Sequence, residues 1–256
     1  MTERIFDSQT SGPIVLALSL PTGSVRVQVI ESLITARVVL RTDDTTGPAA
    51  DAVNRARSEQ NGQALGIEVP EMPGGVITSG RHGGTVFHSV GSMNIVGGTV
   101  RVNGRVVSGG MGSMPTVSAI EATVCLPAGS SLAVVSTASD TEVFGYVDRM
   151  ESRSVSGDLH ADGVRELRAT TTSGDIRVGR VTEQITARSV SGDIAVGLYD
   201  GRTAVLDTTS GDIQVQATGA ASGQLSALSV SGDVRVAGAR HLRVSAQSVS
   251  GDVRSR

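Results

Sequence analysis

Residues 189–196 read SVSGDIAV, and close copies of these eight residues recur through the C-terminal half of the chain. Each copy is centred on a Ser-Gly-Asp tripeptide, which begins at Ser156, Ser173, Ser191, Ser210, Ser231 and Ser250. The intervals between these serines are 17, 18, 19, 21 and 19 residues, so the repeat is about 18–19 residues long. A period of this length is typical of stacked repeat proteins.

Side-chain character alternates on both sides of the tripeptide. The residue before it is Val or Thr, and the residue before that one is Ser or Thr in every copy. After the Asp come an aliphatic residue, a mostly polar residue and then, in five copies, Ala or Val. A period of two indicates β-strands, so each repeat contains two short strands joined through the Ser-Gly-Asp turn.

Two folds fit this pattern. Each repeat is either one coil of a β-solenoid or one hairpin of an antiparallel meander. The inward positions match from copy to copy, as stacked coils require, so we predict an all-β, β-helix-like solenoid with an N-terminal β-hairpin region. Glycine reaches positive φ without strain, so we assign a structural turn role to Gly157, Gly174, Gly192, Gly211, Gly232 and Gly251.

Weaker copies of the repeat occur upstream. The stretch STASDTEVFG from Ser136 aligns when Ser139 is matched to Ser156, which places Thr137 at the hydroxyl position. A more degraded copy, SVGSMNIVGG, begins at Ser89. Atypical terminal repeats are normal in such arrays.

The N-terminal half reads differently. Residues 13–42 predict three strands around turns at Pro21-Thr22-Gly23 and near Glu31-Ser32, and Asn61-Gly62 predicts the tip of a hairpin. A short helix over 49–56 is the alternative for the start of that hairpin. We therefore divide the chain into a strand and hairpin region (1–71), a Gly/Met-rich irregular segment (72–116) and the Ser-Gly-Asp solenoid (117–256).

Composition narrows the function. Aromatic residues make up only 2% of the chain and the net charge is −3, which provides neither stacking platforms nor a basic surface for nucleic acid. The single cysteine, Cys125, reads as a buried strand residue. Residues 1–13 are polar and no apolar run is long enough to span a membrane, so the expected location is the cytoplasm.

Several of these features together resemble a bacterial β-strand-repeat family of unknown function that is labelled "putative adhesin". The matching residues are LPTGSVRVQV from Leu20, the Asn61-Gly62 hairpin ending in GIEVP, LPAGSSLAV from Leu126 and the SVSGDI turns. The resemblance covers most of the chain, but Met72–Met114 looks expanded. The resemblance implies a β-solenoid and an adhesin-like role at the surface or envelope, and it supplies no catalytic residues. Similar proteins occur in actinobacteria.

The most prominent candidate site is the series of turn aspartates. Carboxylates stacked about 4.8 Å apart repel by roughly 0.9 kcal/mol in water and about 3.5 kcal/mol at an effective dielectric of 20. Full solvation, splaying of the side chains, hydrogen bonds from backbone N–H groups within the same turn, nearby arginines or bound cations would offset this repulsion. Turn stabilisation is the main interpretation and calcium binding the minor one, with the candidate ligands Asp158, Asp175, Asp193, Asp212, Asp233 and Asp252.

The remaining polar residues do not form a recognisable catalytic or metal-binding motif. The Ser/Thr series is expected to point inward and hydrogen bond along the stack, and the four histidines are scattered without the spacing of a zinc site. We therefore predict no enzyme activity, no cofactor and no metal. The expected function is a non-catalytic scaffold or protein-interaction module that binds an unknown protein partner or itself. The alternatives are an adhesin-like surface protein and, less favoured, a carbohydrate-active β-helix enzyme.

Overall fold

A computed structural model describes residues 1–72, 118–238 and 240–255 with their side chains, and six short strands between 76 and 117 by their backbone alone. The N-terminal elements are β1 (Thr2–Asp7), β2 (Val15–Ser19), β3 (Thr22–Ile30), β4 (Arg37–Thr42), α1 (Pro48–Arg55), β5 (Arg57–Asn61) and β6 (Ala64–Glu68). The six short strands are β7 (Val76–Ile77), β8 (His88–Ser89), β9 (Met93–Val96), β10 (Thr99–Val102), β11 (Arg105–Val107) and β12 (Thr116–Val117).

The remaining strands build the repeat. They are β13 (Glu121–Pro127), β14 (Ser131–Val135), β15 (Ala138–Arg153), β16 (Leu159–Thr170), β17 (Ile176–Ser191), β18 (Ile194–Tyr199), β19 (Thr203–Ser210), β20 (Ile213–Ala217), β21 (Gly223–Ser231), β22 (Val234–Ala237), β23 (Leu242–Ser250) and β24 (Val253–Ser255). The long strand β15 pairs with β3 along its first half and with β14 along its second half. In the same way, β17 pairs with β18 and then with β19, whereas β16 pairs with β15 and β17 along both halves.

Equivalent residues of successive repeats pair in parallel, in register. In the first sheet, formed by the strands that follow the turns, Ile194 pairs with Ile213, which pairs with Val234. The second sheet, formed by the strands that precede the turns, stacks its residues in the same way. Parallel stacking confirms the β-solenoid, so the antiparallel meander is wrong.

The core lies between the two sheets and is thin. Alternate residues of every inner strand face inward, as the period of two predicts, and they are mostly Val, Ile, Leu and Ala. Tyr199 is the largest of the fully buried side chains. A core of small aliphatic side chains explains why the chain manages with so few aromatic residues.

The N-terminal strands are part of the same stack. β3 lies between β13 and β15 in the first sheet, and β2 pairs in parallel with both β14 and β6 in the second sheet. β4 pairs antiparallel with β1 and β13. The sequence predicted these strands but not their insertion between coils that lie about one hundred residues later in the chain.

One end of the solenoid is closed by α1 and a hairpin. The buried side of α1, including Ala49, Ala52 and Val53, belongs to the main hydrophobic core. β5 and β6 form the predicted hairpin, with Gly62 and Gln63 as its loop. The helix and the hairpin, which were alternatives in sequence, are both present because the helix ends at Arg55, before the first strand begins.

The upstream copy at Ser136 exists, but the predicted alignment is one residue out. Ser156 pairs with Ala138, and the amide of Asp158 donates to Asp140. Ser139 therefore occupies the glycine position and Ser136 the hydroxyl position. The degraded copy predicted from Ser89 lies outside the residues described with side chains.

Among the described residues, no helix has the length and apolar character needed to cross a bilayer.

Candidate functional site

The six Ser-Gly-Asp turns lie one above another along one edge of the solenoid, together with the Val or Thr that precedes each turn. We call this edge the turn ridge. All six glycines have the positive φ that the sequence predicts, between 132° and 156°. A Cβ atom at any of them would lie only 2.1 to 2.3 Å from a backbone carbonyl oxygen of the preceding coil. Conformation and close approach therefore both require glycine.

The turn aspartates form a continuous hydrogen-bonded series. The backbone N–H of each Asp donates to the carboxylate Oδ1 of the aspartate one coil earlier, over 2.7 to 3.0 Å. The series begins at Asp140, which the sequence alignment had not included, and continues through Asp252. Each carboxylate up to Asp233 thus receives a main-chain donor, and such bonds offset the repulsion between neighbouring charges.

Arginines reinforce some of the turns. Arg177 donates to Asp175 over 2.6 Å, and Arg235 contacts both Asp233 and Asp212. Arg254 lies 3.3 Å from Asp252. The equivalent position is His160, Ala195 and Gln214 in the other three coils, so the arginine contact varies while the backbone contact does not.

The geometry bears on the calcium hypothesis. Within the part of the chain described with side chains, no three His, Cys, Asp or Glu residues converge on a point where a metal ion could sit. Calcium takes six to eight oxygen ligands, whereas each turn offers one carboxylate, and in the turns up to Asp233 its Oδ1 already accepts a hydrogen bond from a backbone N–H. The six candidate aspartates are brought together as a line rather than as a cluster.

The hydroxyl series faces inward, as predicted. Thr208, Ser229 and Ser248 donate to the carbonyl of the turn glycine in the preceding coil, over 2.8 to 3.1 Å. Thr171 and Ser189 are buried, and their hydroxyl groups have no hydrogen-bond partner among the residues described with side chains. A cavity of about 10 Å³ beside Thr171 is close to the volume that one water molecule needs.

The residues just before each turn face solvent. Val155, Val190, Val230 and Val249 are between 43% and 78% exposed. Thr172 and Thr209 occupy the same position in the two intervening coils and are also exposed. The ridge therefore presents a straight row of β-branched side chains directly beside the aspartates.

The opposite edge carries ion pairs instead. Arg165 donates to Asp148 and Glu166 over 2.6 Å, and hydrogen bonding to Arg165 holds the pKa of Asp148 below its usual range. Asp200 accepts hydrogen bonds from Thr218 and Arg180, which lower its pKa. Burial raises the pKa of the Tyr199 phenol, and its hydroxyl has no hydrogen-bond partner in the described part of the chain.

Two further sequence assignments can be located. Cys125 lies in β13 but on its outward side and is only half-buried, so the prediction of a buried thiol is wrong. Thr22-Gly23-Ser24 stacks on 138–140 and behaves as a further turn of the ridge, with φ of 141° at Gly23. The sequence signal for it was only a glycine preceded by Thr and followed by Ser.

The architecture defines a class, a parallel β-solenoid whose turns are bonded through a line of aspartates. Residues 96–256, more than half of the chain, match the Toastrack DUF4097 family, and the chain belongs to this family, whose function is unknown.

Solved structures show the same fold at low identity. A putative adhesin from Bacteroides fragilis matches with a TM-score of 0.54 and 10% identity, over 100% of this chain and 97% of that protein. A putative lipid binding protein from Parabacteroides distasonis matches with a TM-score of 0.52 and 13% identity, over 99% of this chain and 97% of that protein. A comparison with curated proteins finds no match.

Proposed function

We propose that the protein is a non-catalytic scaffold that binds another protein through its turn ridge. The observation that carries this proposal is the row of exposed β-branched side chains at Val155, Val190, Val230 and Val249. Large aliphatic side chains aligned on a surface favour protein contact, because burying them against a partner removes apolar area from water.

The ridge is suited to binding because it is fixed in place before any partner arrives. The aspartate series and the glycine backbone hold consecutive turns at the spacing of paired strands, about 4.8 Å. From Val155 to Val249 the row spans five such steps, or roughly 24 Å. A preorganised surface of this length costs little conformational entropy when an extended partner binds along it.

The carboxylates support a structural rather than a catalytic role. Glycoside hydrolysis needs two carboxyl groups in distinct environments on either side of a sugar bond. Here the aspartates have the same environment in each coil. Each carboxylate accepts a hydrogen bond from the backbone N–H of the aspartate in the following coil. A carbohydrate-active enzyme is therefore the less favoured proposal.

Site-specific photocrosslinking in the native host tests the proposed ridge. A photoreactive residue at Val190 should trap a discrete protein partner, whereas the same residue at Leu198, equally apolar and exposed on the first sheet, should not. Replacing Val155 and Val230 with Ser should weaken the crosslink at position 190. Equal crosslinking from both positions, or no crosslinking from position 190, would show that the ridge is not the binding surface.

We propose that this scaffold acts in the cytoplasm. The second candidate is an adhesin-like role at the surface or envelope, favoured by the description of the Bacteroides fragilis structure as a putative adhesin. Cell fractionation with an antibody against the folded chain separates the two. Recovery in the envelope fraction or on the cell surface would replace the cytoplasmic proposal with the adhesin-like one.

Calorimetric titration with calcium addresses the remaining candidate. We expect no heat of binding and no change in melting temperature on adding a chelator, because the carboxylate Oδ1 atoms already accept amide protons. Micromolar binding accompanied by a higher melting temperature would show that the line of aspartates holds cations.

A further inference from the structure

The valines of the turn ridge also belong to the outer face of the second sheet. Val190, Val230 and Val249 lie in β17, β21 and β23, at outward positions that alternate with the inward ones. In β21, the outward residue Leu228 lies two positions before Val230 and is 39% exposed. The ridge is therefore one border of a wider surface. We call it the second-sheet face, and it consists of the outward residues from 149–155 in the coil of β15 to 243–249 in β23.

Charge is unevenly distributed over the second-sheet face. The outward charged residues of β15 and β16 are Arg149, Glu151, Arg153, Glu166 and Arg168. In contrast, the outward residues of β21 and β23 are uncharged apart from Arg243. Between these two parts, Arg188 of β17 pairs with Asp207 of β19 over 3.3 Å. A partner for this face has to match a charged end, an uncharged end and a central ion pair.

We propose that the second-sheet face binds the same face of a second copy of the chain, an inference that rests on the proposed function of the turn ridge. The two copies face each other across a two-fold axis that is parallel to the strands and lies between β17 and β19. Rotation about this axis reverses the order of the coils and keeps the direction of the strands. The contact is isologous and closes at two copies.

Charge complementarity determines where the axis lies. Arg188 and Asp207 are directly paired positions of neighbouring strands. An axis between these strands therefore sets Arg188 of each copy opposite Asp207 of the other, and four charges of alternating sign meet at the centre. An axis through β17 would set Arg188 against itself, and an axis through β19 would do the same to Asp207. Like charges facing each other at an interface are strongly unfavourable.

The same axis matches the two ends of the face. The positions that meet, one from each copy, are Arg153 with Gln247, Arg168 with Ser226 and Val155 with Val249. Moving the axis one coil toward β16 would pair Arg153 with Asp207. However, it would also set Glu151 against Val205, which leaves a carboxylate without a polar partner. Moving it one coil toward β21 would set Asp207 against Leu228, with the same consequence.

The second-sheet face is large enough for a specific contact. From Arg149 to Val155 the chain rises about 23 Å, and the coils from β15 to β23 span about 29 Å, which gives roughly 650 Å² on each copy. The total of about 1,300 Å² lies near the lower limit for specific protein contacts, consistent with a Kd on the order of 10 µM.

Sedimentation equilibrium of the full chain, combined with a charge exchange, tests the proposal. The mass of the parent chain should rise with concentration from 26.1 kDa toward twice that value and then level off. Arg188→Glu and Asp207→Arg each bring four like charges together at the axis, so the Kd of either variant alone should rise at least about tenfold. An equal mixture of the two variants should dimerise again, because each acidic side chain then faces an arginine of the other variant.

Arg177→Glu is the matched control. Arg177 also lies in β17 and also pairs with an aspartate, Asp175, over 2.6 Å, but it belongs to the first sheet. This variant should therefore dimerise like the parent chain. Circular dichroism and melting temperatures establish that each variant is folded.

Three results would overturn the proposal. They are a parent chain that stays monomeric at several hundred micromolar, dimers formed by both single variants, and a mixture of the variants that does not dimerise. Photocrosslinking from position 190 distinguishes these failures from a failure of the proposed function. If that position traps a different protein, the ridge remains a binding surface and the second copy is excluded as its partner.

Discussion

Gly174 illustrates how tightly a single position of the turn ridge is constrained. Its φ is 145°, and a Cβ atom built there would lie 2.3 Å from the carbonyl oxygen of Gly157. That oxygen is main chain, and the strands around it are held in register on both sides. Neither residue can move aside without disturbing a neighbouring coil.

Gly174→Ala should therefore destabilise the protein by about 2–4 kcal/mol, because it adds steric overlap to an unfavourable φ. Gly219→Ala is the matched control, since a Cβ at Gly219 would lie more than 4 Å from every atom of the described residues outside its chain neighbours. Urea denaturation of both variants measures the difference. Equal stability of the two variants would mean that the turns are not stacked as described.

Two substitutions of Asp193 distinguish the contribution of its hydrogen bond to stability from the contribution of its charge. Its Oδ1 accepts the amide of Asp212 over 2.8 Å. We expect Asp193→Ala to lose about 1 kcal/mol of stability, because the amide of Asp212 loses its acceptor. Asp193→Asn keeps an acceptor oxygen and removes a negative charge, so it should be close to neutral. If Asn proved as damaging as Ala, the charge rather than the hydrogen bond would be what stabilises the ridge.

At the residue scale, the sequence predicted the turn glycines and the repulsion among the aspartates. The sequence also suggested that backbone N–H groups offset this repulsion, but it suggested N–H groups of the same turn. The actual donor to Asp193 belongs to Asp212, 19 residues later. Which amide meets which carboxylate depends on the alignment of successive coils, and one copy of the repeat does not contain that information.

At the scale of elements, the edge opposite the ridge is fixed by ion pairs rather than by a repeated turn. Asp200 connects its own coil to the coils on both sides. It accepts hydrogen bonds from Arg180 of the preceding coil, over 2.7 Å, and from Thr218 of the following coil. Its side chain is only 10% exposed. These contacts hold the pKa of Asp200 below its usual value.

Because the folded pKa is lowered, the contribution of Asp200 is present above its unfolded pKa of about 4 and is lost as pH falls below that value. Asp200→Asn should cost about 1–2 kcal/mol at pH 7 and reduce the loss of stability between pH 4 and 2. Denaturant titrations across this pH range measure both effects.

Asp207→Asn provides the comparison for that experiment. Asp207 pairs with Arg188 over 3.3 Å on the outer surface, where both side chains are more exposed. Its substitution should change stability by less than about 0.5 kcal/mol at pH 7. A larger effect at Asp207 than at Asp200 would contradict the assignment of Asp200 as the stronger of these two contacts between coils.

Prediction of the elements succeeded where a local signal was strong. The Asn61-Gly62 dipeptide located the hairpin, and period-two alternation located β2, β3 and β4. The alignment of the copy at Ser136 failed because that turn has Ser139 where glycine is usual. The insertion of β3 between β13 and β15 could not be predicted, because a strand pattern does not identify distant partners.

At the scale of the whole molecule, β1–β6 and β13–β24 form one continuous stack to which both halves of the chain contribute. The N-terminal strands do not form a separate hairpin layer, since β2 and β3 share hydrogen bonds with the solenoid. The exposed valines of the ridge belong to coils that are held in place by this common core. The proposed binding surface is a consequence of that stacking.

Parallel, in-register stacking is thus the central claim, and a distance across several coils tests it most directly. Spin labels at Val155→Cys and Val249→Cys, in a Cys125→Ser background and in dilute protein, report the separation of two exposed ridge positions. Five steps between coils predict about 24 Å between the backbone sites. A separation of about 48 Å, as expected if each repeat were a hairpin of two antiparallel strands, would contradict the solenoid.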